Sequence, residues 1–374
     1  MLAHQDQSIG EQVESHGQAA TFQAHHELKL LQLGSLLVEY IHAFSVTELP
    51  RALIPSAPAS RICAMSMERE PGSILRGIQV LDGAMATELE ARGANIGGPL
   101  WSAHVLEDAP EKIVAVHCAY MDAGAQCIET ASYQVSRMGY AEIGLPAERA
   151  DHALLRAVEL ARSAAEEYSD RSIVIAASLG PYGAALHNGA EYTGDYNCTF
   201  EELVAFHRER IEVFAGAAGH QRPNVLAFET LPSLDEARAL VEALAPFSNL
   251  AAWFSFTCRD GLHVAHGELL RDCAAAVAAL PQTVAIGANC TRPALIVDLI
   301  GELRAASDKP IVVYPNSGGE WNPVERNFTG TTDMAEIASL AGRWFEAGAQ
   351  IVGGCCRTGP EYVRLVAKEA ARLR

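Results

Sequence analysis

The sequence Ile351-Val352-Gly353-Gly354-Cys355-Cys356-Arg357-Thr358, close to the C-terminus, joins a short apolar run to two glycines and two adjacent cysteines. Adjacent cysteines are poorly placed for a disulfide with each other, but both can be ligands of one metal ion. From residue 77 onward, short apolar runs that end on polar residues alternate with longer segments of helical periodicity. This repeat decides the predicted fold.

Eight apolar or β-branched runs are predicted to be strands, at residues 78–81, 126–130, 173–177, 225–228, 250–256, 284–288, 311–314 and 350–352. The segments with apolar residues at three- and four-residue spacing are predicted to be helices, at residues 109–123, 147–168, 200–218, 234–244, 269–280, 293–306, 333–347 and 360–373. Strands that alternate with helices pair in parallel through right-handed crossovers, so eight such units predict a (β/α)8 TIM-type barrel.

An open, doubly wound sheet is the alternative fold for alternating strands and helices. That fold usually carries a glycine-rich phosphate loop directly after its first strand. The sequence Leu81-Asp82-Gly83-Ala84-Met85-Ala86 follows the first predicted strand and lacks the G-x-G-x-x-G spacing. The barrel is therefore favoured.

The composition is that of a globular protein with a small-molecule partner. Of the 374 residues, 49% are hydrophobic and 20% are charged. The net charge of −18 argues against binding to nucleic acid or to an anionic membrane, since both favour clustered Lys and Arg. No apolar run approaches the roughly 20 residues of a membrane helix, and the N-terminus has no signal-peptide pattern, so we expect a cytosolic protein.

Residues 1–70 differ from the rest of the chain, because prolines follow a single apolar patch at residues 28–44 in a segment rich in Gln and Ser. We expect this extension to be poorly ordered, disordered or partly helical, and residues 71–374 to form the barrel. Met67 is a candidate alternative translation start.

Polar or chelating residues follow the predicted strands, at the barrel face where active sites are built. They are Asp82, Glu129, Thr130, Ser132, Ser178, Glu229, Thr230, Thr257, Asn289, Cys290, Asn316, Ser317, Cys355 and Cys356. A single polar residue at a strand end is often only a helix cap or a turn former. Their recurrence at equivalent positions favours a common binding site.

Three of these residues are cysteines, which follow the sixth and eighth predicted strands. Thiolate ligands favour zinc, and three protein ligands leave the fourth tetrahedral position open, as in catalytic sites. Cys290, Cys355 and Cys356 are therefore the predicted ligands of one Zn²⁺ ion. A redox role for the adjacent pair is less favoured, because C-x-x-C is the usual redox spacing. The other cysteines are interpreted as small apolar residues, namely Cys63, Cys118, Cys127, Cys198, Cys258 and Cys273.

A zinc ion with three thiolate ligands suits a thiol substrate better than water. Such a site can lower the pKa of a substrate thiol from about 8.5 to below neutrality and keep a thiolate available. The carboxylates of Asp82, Glu129 and Glu229 can bind an ammonium group, while backbone N–H groups can bind a carboxylate. A thiol amino acid has both of these groups.

Seven segments carry a likeness to a known family, namely 81–89 (LDGAMATEL), 129–134 (ETASYQ), 228–230 (FET), 253–256 (WFSF), 287–290 (GANC), 313–318 (VYPNSG) and 353–358 (GGCCRT). They resemble the homocysteine S-methyltransferase family, and the chain is most similar to the bacterial members that use S-methylmethionine. The resemblance extends from about residue 74 to the C-terminus. It implies a (β/α)8 barrel with one zinc ion on the three cysteines, which transfers a methyl group from a sulfonium donor to homocysteine and gives methionine.

The resemblance also implies roles for residues at the mouth of the barrel. It places Asp82 and Glu229 near the amino group of homocysteine, and the turn at residues 130–132 near its carboxylate. The predicted substrate-binding residues are Asp82, Glu129, Thr130, Ser132, Glu229 and Asn289. The cationic donor is expected to contact the π faces of aromatic residues, for which the candidates are Tyr133, Tyr182, Tyr192 and Trp321.

Several alternatives stay open at this point. The donor is S-methylmethionine or S-adenosylmethionine, and the acceptor is homocysteine or another thiol or selenol such as selenocysteine. A lyase or hydrolase barrel with a cysteine nucleophile would use the carboxylates as acid and base. A non-catalytic, zinc-stabilised barrel that binds an amino acid would need four protein ligands on the metal.

Overall fold

The computed structural model describes residues 73–97, 101–318, 320–322, 327–329 and 333–373. The predicted extension over residues 1–70 lies outside the described residues, so its expected lack of order stays a prediction.

Nine strands occur in the described residues, and seven of them form one parallel sheet. In chain order they are β1 (Cys127–Glu129), β2 (Val174–Leu179), β3 (Val225–Leu231), β4 (Ala252–Phe256), β5 (Thr283–Asn289), β6 (Ile311–Tyr314), β7 (Glu320–Asn322), β8 (Asn327–Thr329) and β9 (Ile351–Val352). The parallel sheet has the order β1-β2-β3-β4-β5-β6-β9, while β7 and β8 pair as an antiparallel hairpin. The strands of this sheet lie side by side in chain order. A doubly wound sheet would reverse that order at one point, so the doubly wound alternative is excluded.

Helices follow the strands of the sheet and cover it. In chain order the α-helices of the described residues are α1 (Met85–Ala91), α2 (Val105–Asp108), α3 (Pro110–Ala123), α4 (Arg137–Glu142), α5 (Ala147–Glu166), α6 (Tyr182–Ala185), α7 (Phe200–Gly216), α8 (Leu234–Leu244), α9 (Leu270–Ala278), α10 (Ile296–Ala306), α11 (Met334–Ser339), α12 (Ala341–Ala347) and α13 (Pro360–Arg372). All eight predicted helices are present. The one predicted at residues 333–347 is divided at Leu340 into α11 and α12.

The first predicted strand, at residues 78–81, is reduced to two isolated parallel bridges. Val80 pairs with Val352 of β9, and Leu81 pairs with Cys127 of β1. The N–H of Leu81 donates to Val352 O at 3.0 Å, and the N–H of Gln126 donates to Val80 O at 2.9 Å. This segment therefore hydrogen-bonds to both outer strands of the seven-stranded sheet. The other seven predicted strands are confirmed.

The strands bury both of their faces, as expected for a parallel sheet covered by helices. Along β2, Ile175 and Ala177 belong to the large apolar cluster that the sheet shares with the helices. Val174 and Ala176 belong instead to a second, smaller cluster that also contains Trp253. The carboxyl ends of the strands lie above this smaller cluster and carry the polar residues described next.

Candidate active site

The three predicted ligand cysteines lie together at the ends of β5 and β9. The Sγ atoms of Cys290, Cys355 and Cys356 are all within 4.8 Å of one another. The Sγ atoms of Cys290 and Cys356 are 3.4 Å apart, far beyond the roughly 2.05 Å of a disulfide bond. A tetrahedral zinc ion with Zn–S bonds of 2.3 Å separates its sulfur ligands by roughly 3.8 Å. The spacing of these thiols therefore fits one metal ion.

Hydrogen bonds within the cluster favour deprotonation of one of the three thiols, while the pKa values of the Cys290 and Cys355 thiols are raised. Hydrogen bonds from the Cys290 and Cys355 thiols lower the pKa of the Cys356 thiol well below its usual range. The hydroxyl of Tyr192 lies 3.4 Å from the Sγ of Cys290 and 4.0 Å from that of Cys356. A cluster that already stabilises one thiolate has the chemistry of a metal-binding site.

The two glycines before the cysteines are needed for close packing. A Cβ atom on Gly353 would lie 2.6 Å from the Cβ of Leu81, and one on Gly354 would lie 2.0 Å from the Oγ1 of Thr358. Neither glycine has a positive φ, whereas Arg357 has a φ of 64°. The left-handed residue of this turn is therefore Arg357, and the glycines serve by lacking a side chain.

Strained backbone is concentrated at this end of the sheet. Among the described residues other than glycine, positive φ occurs at His187, Thr230, Cys290 and Arg357. The last three of these residues line a common cavity. For a β-branched residue such as Thr230, which has a φ of 59°, this conformation persists only where the surroundings enforce it.

Three carboxyl groups from neighbouring strand ends lie close to the thiols. The backbone N–H of Glu129 donates to Asp82 Oδ2 at 2.9 Å, and the hydroxyl of Ser178 donates to Glu229 Oε1. Asp82 Oδ1 and Glu129 Oε1 are buried without a hydrogen-bond partner among the described residues. Unpaired carboxylate oxygens are costly to bury, so these atoms fit a cationic group of a ligand.

Burial raises the pKa of all three carboxyl groups. For Asp82 and Glu129 the desolvation is reinforced by the negative charge of Glu229. Burial raises the pKa of Glu229 to about 7, although the hydrogen bond from Ser178 opposes the shift. A bound ammonium group would offset both the desolvation and the mutual repulsion of these groups.

The hydroxyl groups of the turn after β1 are engaged within the protein. Thr130 Oγ1 and Ser132 Oγ lie 2.6 Å apart, and Ser132 Oγ donates to Ser178 O at 2.8 Å. Thr130 Oγ1 also accepts from the N–H of Ser178 at 3.1 Å. These two side chains therefore fix the turn onto β2.

Asn289, a predicted substrate-binding residue, supports the site from below. The side chain is fully buried, and its Oδ1 accepts hydrogen bonds from the N–H of Thr230 and the hydroxyl of Ser255. Its Nδ2 donates to Thr230 Oγ1 at 2.8 Å and lies 3.9 Å from the Sγ of Cys355. The amide is thus engaged in holding the strained Thr230 and one thiol in place.

A cavity of about 850 Å³ opens over the thiols and carboxylates, within the usual range of small-molecule sites. Of the predicted site residues, those that line it are Glu129, Thr130, Glu229, Cys290, Cys355 and Cys356. Asp82, Ser132 and Asn289 lie beneath this lining, with exposed fractions of 1%, 0% and 0%. The predicted substrate-binding residues are therefore divided between the cavity lining and the layer beneath it.

Two aromatic predictions fall in this cavity and one does not. Tyr133 and Tyr192 line it. Tyr182 is absent from the lining, because its ring packs against Tyr196 and Phe206 at centroid distances of 5.4 and 5.1 Å. The side chain of Trp321 lies outside the described part of the chain.

Comparison with known proteins assigns this chain to a family. The profile of the homocysteine S-methyltransferase family matches residues 79–370. The chain belongs to that family. It is 42% identical over 303 residues to homocysteine S-methyltransferase YbgG of Bacillus subtilis, a match that covers 79% of this chain and 95% of that protein. It is 38% identical over 316 residues to selenocysteine Se-methyltransferase of Brassica oleracea, with 80% and 90% coverage.

A solved structure of a family member has the same fold. The metallated crystal form of the homocysteine methyltransferase MmuM from Escherichia coli superposes with a TM-score of 0.70 and 42% sequence identity. The match covers 79% of this chain and 99% of that one. As a homocysteine S-methyltransferase family member the present protein is an enzyme of the methyltransferase class, and its three clustered thiols agree with a bound metal.

One residue of the cavity lining in this methyltransferase, Glu191, is not among the site residues predicted from the sequence. Glu191 belongs to the 3-10 turn Ala190–Tyr192, in the loop that follows β2, and it lines the cavity. Burial raises its pKa to about 7, and the negative charge of Cys356 adds to the shift. The length of the loop at a strand end was the available signal, but no periodicity specifies which loop residue points inward.

A buried hydrogen-bond cluster fixes this loop, and we call Glu236, His207 and Arg210 the loop anchor. Glu236 is the third residue of α8, and its N–H donates to the capping Ser233 Oγ. Its carboxylate accepts from the N–H of Tyr182 at 2.5 Å and from the hydroxyl of Tyr196 at 2.8 Å. These two residues lie on either side of the 3-10 turn, so the carboxylate bridges the two ends of the loop. It also contacts His207 Nε2 at 2.9 Å.

The same cluster continues to the backbone beneath the loop. Arg210 Nη2 donates to His207 Nδ1 at 2.8 Å, which leaves the proton of the neutral imidazole on Nε2, facing Glu236. Arg210 Nη1 donates to Gly180 O at 3.0 Å, and the N–H of Gly180 donates to Tyr133 O. The loop anchor therefore ties helices α7 and α8 to the rim of the cavity.

Other features of the chain carry less functional information. Cys127, Cys258 and Cys273 are buried and free, in keeping with their interpretation as small apolar residues, while Cys63 lies outside the described residues. Cys118 and Cys198 are half-buried and free. In the described part of the chain, no helix is both long and apolar enough to span a membrane.

Proposed function

We propose that the protein transfers a methyl group from a sulfonium donor to the thiol of L-homocysteine, giving methionine. The observation that carries the proposal is the cavity that combines three clustered thiols with the lining carboxylates of Glu129 and Glu229. A thiol amino acid presents a sulfur to the first group and an ammonium to the second. S-Methylmethionine is the proposed donor, with S-adenosylmethionine as the alternative.

Zinc is the proposed metal, held by Cys290, Cys355 and Cys356. Three thiolates are soft ligands that favour zinc, and they leave one tetrahedral position for a substrate. When bound, the ion supplies a lowered pKa at the substrate thiol, so that a thiolate is available near neutral pH. Tyr192, whose hydroxyl faces two of the thiols, limits the access of water to this position.

Protein groups orient homocysteine in this proposal. Glu129 and Glu229 bind its ammonium group, and Asp82 behind them adds a third negative charge. Its carboxylate is bound by main-chain N–H groups of the turn after β1, where Ala131 and Tyr133 line the cavity. The hydroxyls of Thr130 and Ser132 are engaged within the protein, so the turn offers its main chain to the carboxylate.

The transfer itself is a direct displacement at the methyl carbon. The thiol proton passes first to solvent water, and a sulfur lone pair of homocysteine then forms the new S–CH₃ bond. The S–CH₃ bond of the donor breaks at the same time, and its electron pair stays on the donor sulfur, which leaves as a neutral thioether. No group has to protonate the leaving sulfur, so positioning within the cavity supplies much of the rate.

We further propose that residues 78–81 form the eighth strand of a closed (β/α)8 barrel. The hydrogen bonds of this segment to both β1 and β9 support the closure. A closed barrel would bring Asp82 next to both outer strands, and so complete the ring of polar residues around the cavity.

A second acceptor is favoured by one specific observation, the similarity to a selenocysteine Se-methyltransferase. A selenol is also an anionic nucleophile near neutral pH, and selenocysteine carries the same ammonium and carboxylate groups. Homocysteine has one more methylene than selenocysteine. The distance between the carboxylates that bind the ammonium group and the metal-binding thiols therefore decides which of the two acceptors reacts faster.

The deciding experiment is an assay of the purified, zinc-loaded protein with homocysteine and each sulfonium donor. Methionine formation should require homocysteine, a sulfonium and the metal, and should stop when the metal is removed with a chelator. Selenocysteine in place of homocysteine tests the second acceptor. Full activity without metal would instead support a barrel enzyme with a cysteine nucleophile.

A further inference from the structure

Glu191 is a buried carboxylate in the cavity, and the proposed binding of homocysteine assigns it no role. Its side chain is 7% exposed, and its Oε2 has no hydrogen-bond partner among the described residues. It reaches the cavity from the loop after β2, whereas Glu129 and Glu229 reach it from the strand ends. A buried carboxylate oxygen of this kind is costly unless a ligand with a positive charge occupies the cavity.

The position of Glu191 is fixed by tight packing of its own loop. A Cβ atom on Gly183 would lie 2.4 Å from the backbone N of Glu191 and 2.7 Å from the Cε1 of Tyr196. The N–H of Gly194 donates to Ala190 O at 2.8 Å, and the loop anchor holds Tyr182 and Tyr196 on either side. The backbone at Glu191 is therefore fixed by its own loop.

Structural roles within the protein do not account for this carboxylate. Glu191 forms no ion pair with an Arg, Lys or His in the described part of the chain. Its own backbone N–H is the hydrogen-bond donor that stabilises its charge.

We propose that Glu191 binds the sulfonium cation of the methyl donor, with the rings of Tyr133 and Tyr192 beside it. The inference rests on the proposed function and specifies the donor side of the same cavity. A trivalent sulfur cation has no N–H to donate, so it is recognised by charge and by aromatic faces. Glu191 supplies the carboxylate, and Tyr133 and Tyr192, which also line the cavity, supply the rings.

The proposal has a distinctive kinetic consequence. The thiolate and the sulfonium neutralise each other as the methyl group moves, so the donor has less positive charge in the transition state than in the bound substrate. A fixed carboxylate therefore stabilises the bound donor more than the transition state. Removing it should raise the KM of the donor without lowering kcat.

The test compares Glu191→Gln with wild type and with Glu201→Gln, a matched change of an exposed residue in α7. Glu191→Gln should raise the KM of the sulfonium donor roughly 10- to 100-fold, as expected for a lost charge-assisted contact. The kcat, the KM of homocysteine and the metal content should stay close to wild type. Glu191→Asp keeps the charge and should recover much of the donor affinity.

Calorimetry supplies a second readout that does not depend on turnover. The wild-type protein should bind S-methylmethionine more tightly than neutral methionine, and Glu191→Gln should remove this preference. Equal preference in both proteins would overturn the proposal, as would an unchanged donor KM in an active enzyme. A lower kcat at unchanged donor KM would also overturn it, because Glu191 would then act in the transition state. An inactive wild type that still binds the sulfonium through Glu191 would refute the proposed function alone.

Discussion

The cysteine corner, Cys290 with Cys355 and Cys356, and the loop at residues 180–196 meet in one cavity but are positioned by different means. The cysteines follow β5 and β9 directly, so hydrogen bonds of the parallel sheet bring them together. The loop depends on side chains of α7 and α8, which lie up to 54 residues away along the chain. Positions fixed by the sheet follow from sequence periodicity, whereas positions fixed by a side-chain network do not.

The largest expected effect is in the cysteine corner. Cys356→Ala removes one of three metal ligands, so metal content should fall to near zero and kcat/KM should fall by at least ~1,000-fold. Cys273→Ala, at a buried cysteine of α9, is the matched control and should keep both the metal content and the kcat/KM of wild type. Metal analysis and the methyl-transfer assay check the prediction, and full zinc occupancy in Cys356→Ala would refute the ligand assignment.

The next effect concerns the carboxylates beside the cysteines. Glu229→Gln should raise the KM of homocysteine by roughly 30-fold or more, because a buried charge partner of the ammonium is lost. Zinc content should be unchanged. The same variant removes one of three mutually repelling carboxylates, so the substrate-free protein should unfold at a higher temperature than wild type. An unchanged KM would take Glu229 out of the substrate site.

A smaller effect is expected from the loop anchor. Glu236→Gln weakens the bonds to Tyr182, Tyr196 and His207, and should lower kcat/KM by about tenfold, since hydrogen bonds to charged groups contribute about 1.5–3 kcal/mol. The cysteine corner should keep its zinc. Glu242→Gln on the exposed face of α8 is the matched control. Loss of metal in Glu236→Gln would mean that the two regions are not positioned independently.

The smallest expected effect is a dependence of folding stability on pH that arises in the loop anchor. Burial lowers the pKa of His207, because Arg210 and the desolvation oppose its protonation more than Glu236 favours it. The unfolded chain therefore binds a proton more readily than the folded protein, and stability is lost as pH falls below about 6.5. His207→Gln should reduce the slope of the free energy of unfolding against pH by up to ~1.4 kcal/mol per pH unit. Urea unfolding between pH 5 and 7 measures this slope, and identical slopes in the variant and the wild type would exclude His207 as its source.

The fold and the metal ligands could be predicted because both depend on local patterns. Seven of the eight predicted strands and all of the predicted helices are present, since apolar spacing specifies them directly. The segment at residues 78–81 is reduced to bridges at Val80 and Leu81, and the β7–β8 hairpin was not foreseen. Each strand of that hairpin has three residues, too few to show a period.

The inner and outer layers of the site could not be separated from the sequence. Asn289 and Glu229 both follow a buried strand, yet one lies beneath the cavity and the other lines it. The side chain of Asn289 is held beneath the cavity by hydrogen bonds to Thr230 and Ser255, tertiary contacts that no residue type announces. Glu191 was missed for a similar reason, because its inward position depends on Gly183 and on the loop anchor.

X-ray absorption at the zinc edge is the most direct measurement of the central claim, that three thiolates hold a metal with one position open for a substrate thiol. The zinc-loaded protein should show three sulfur ligands at about 2.3 Å, and four after homocysteine is added. In Glu229→Gln the same change should need a higher homocysteine concentration. Four protein ligands in the resting protein, with no change on adding homocysteine, would contradict the account.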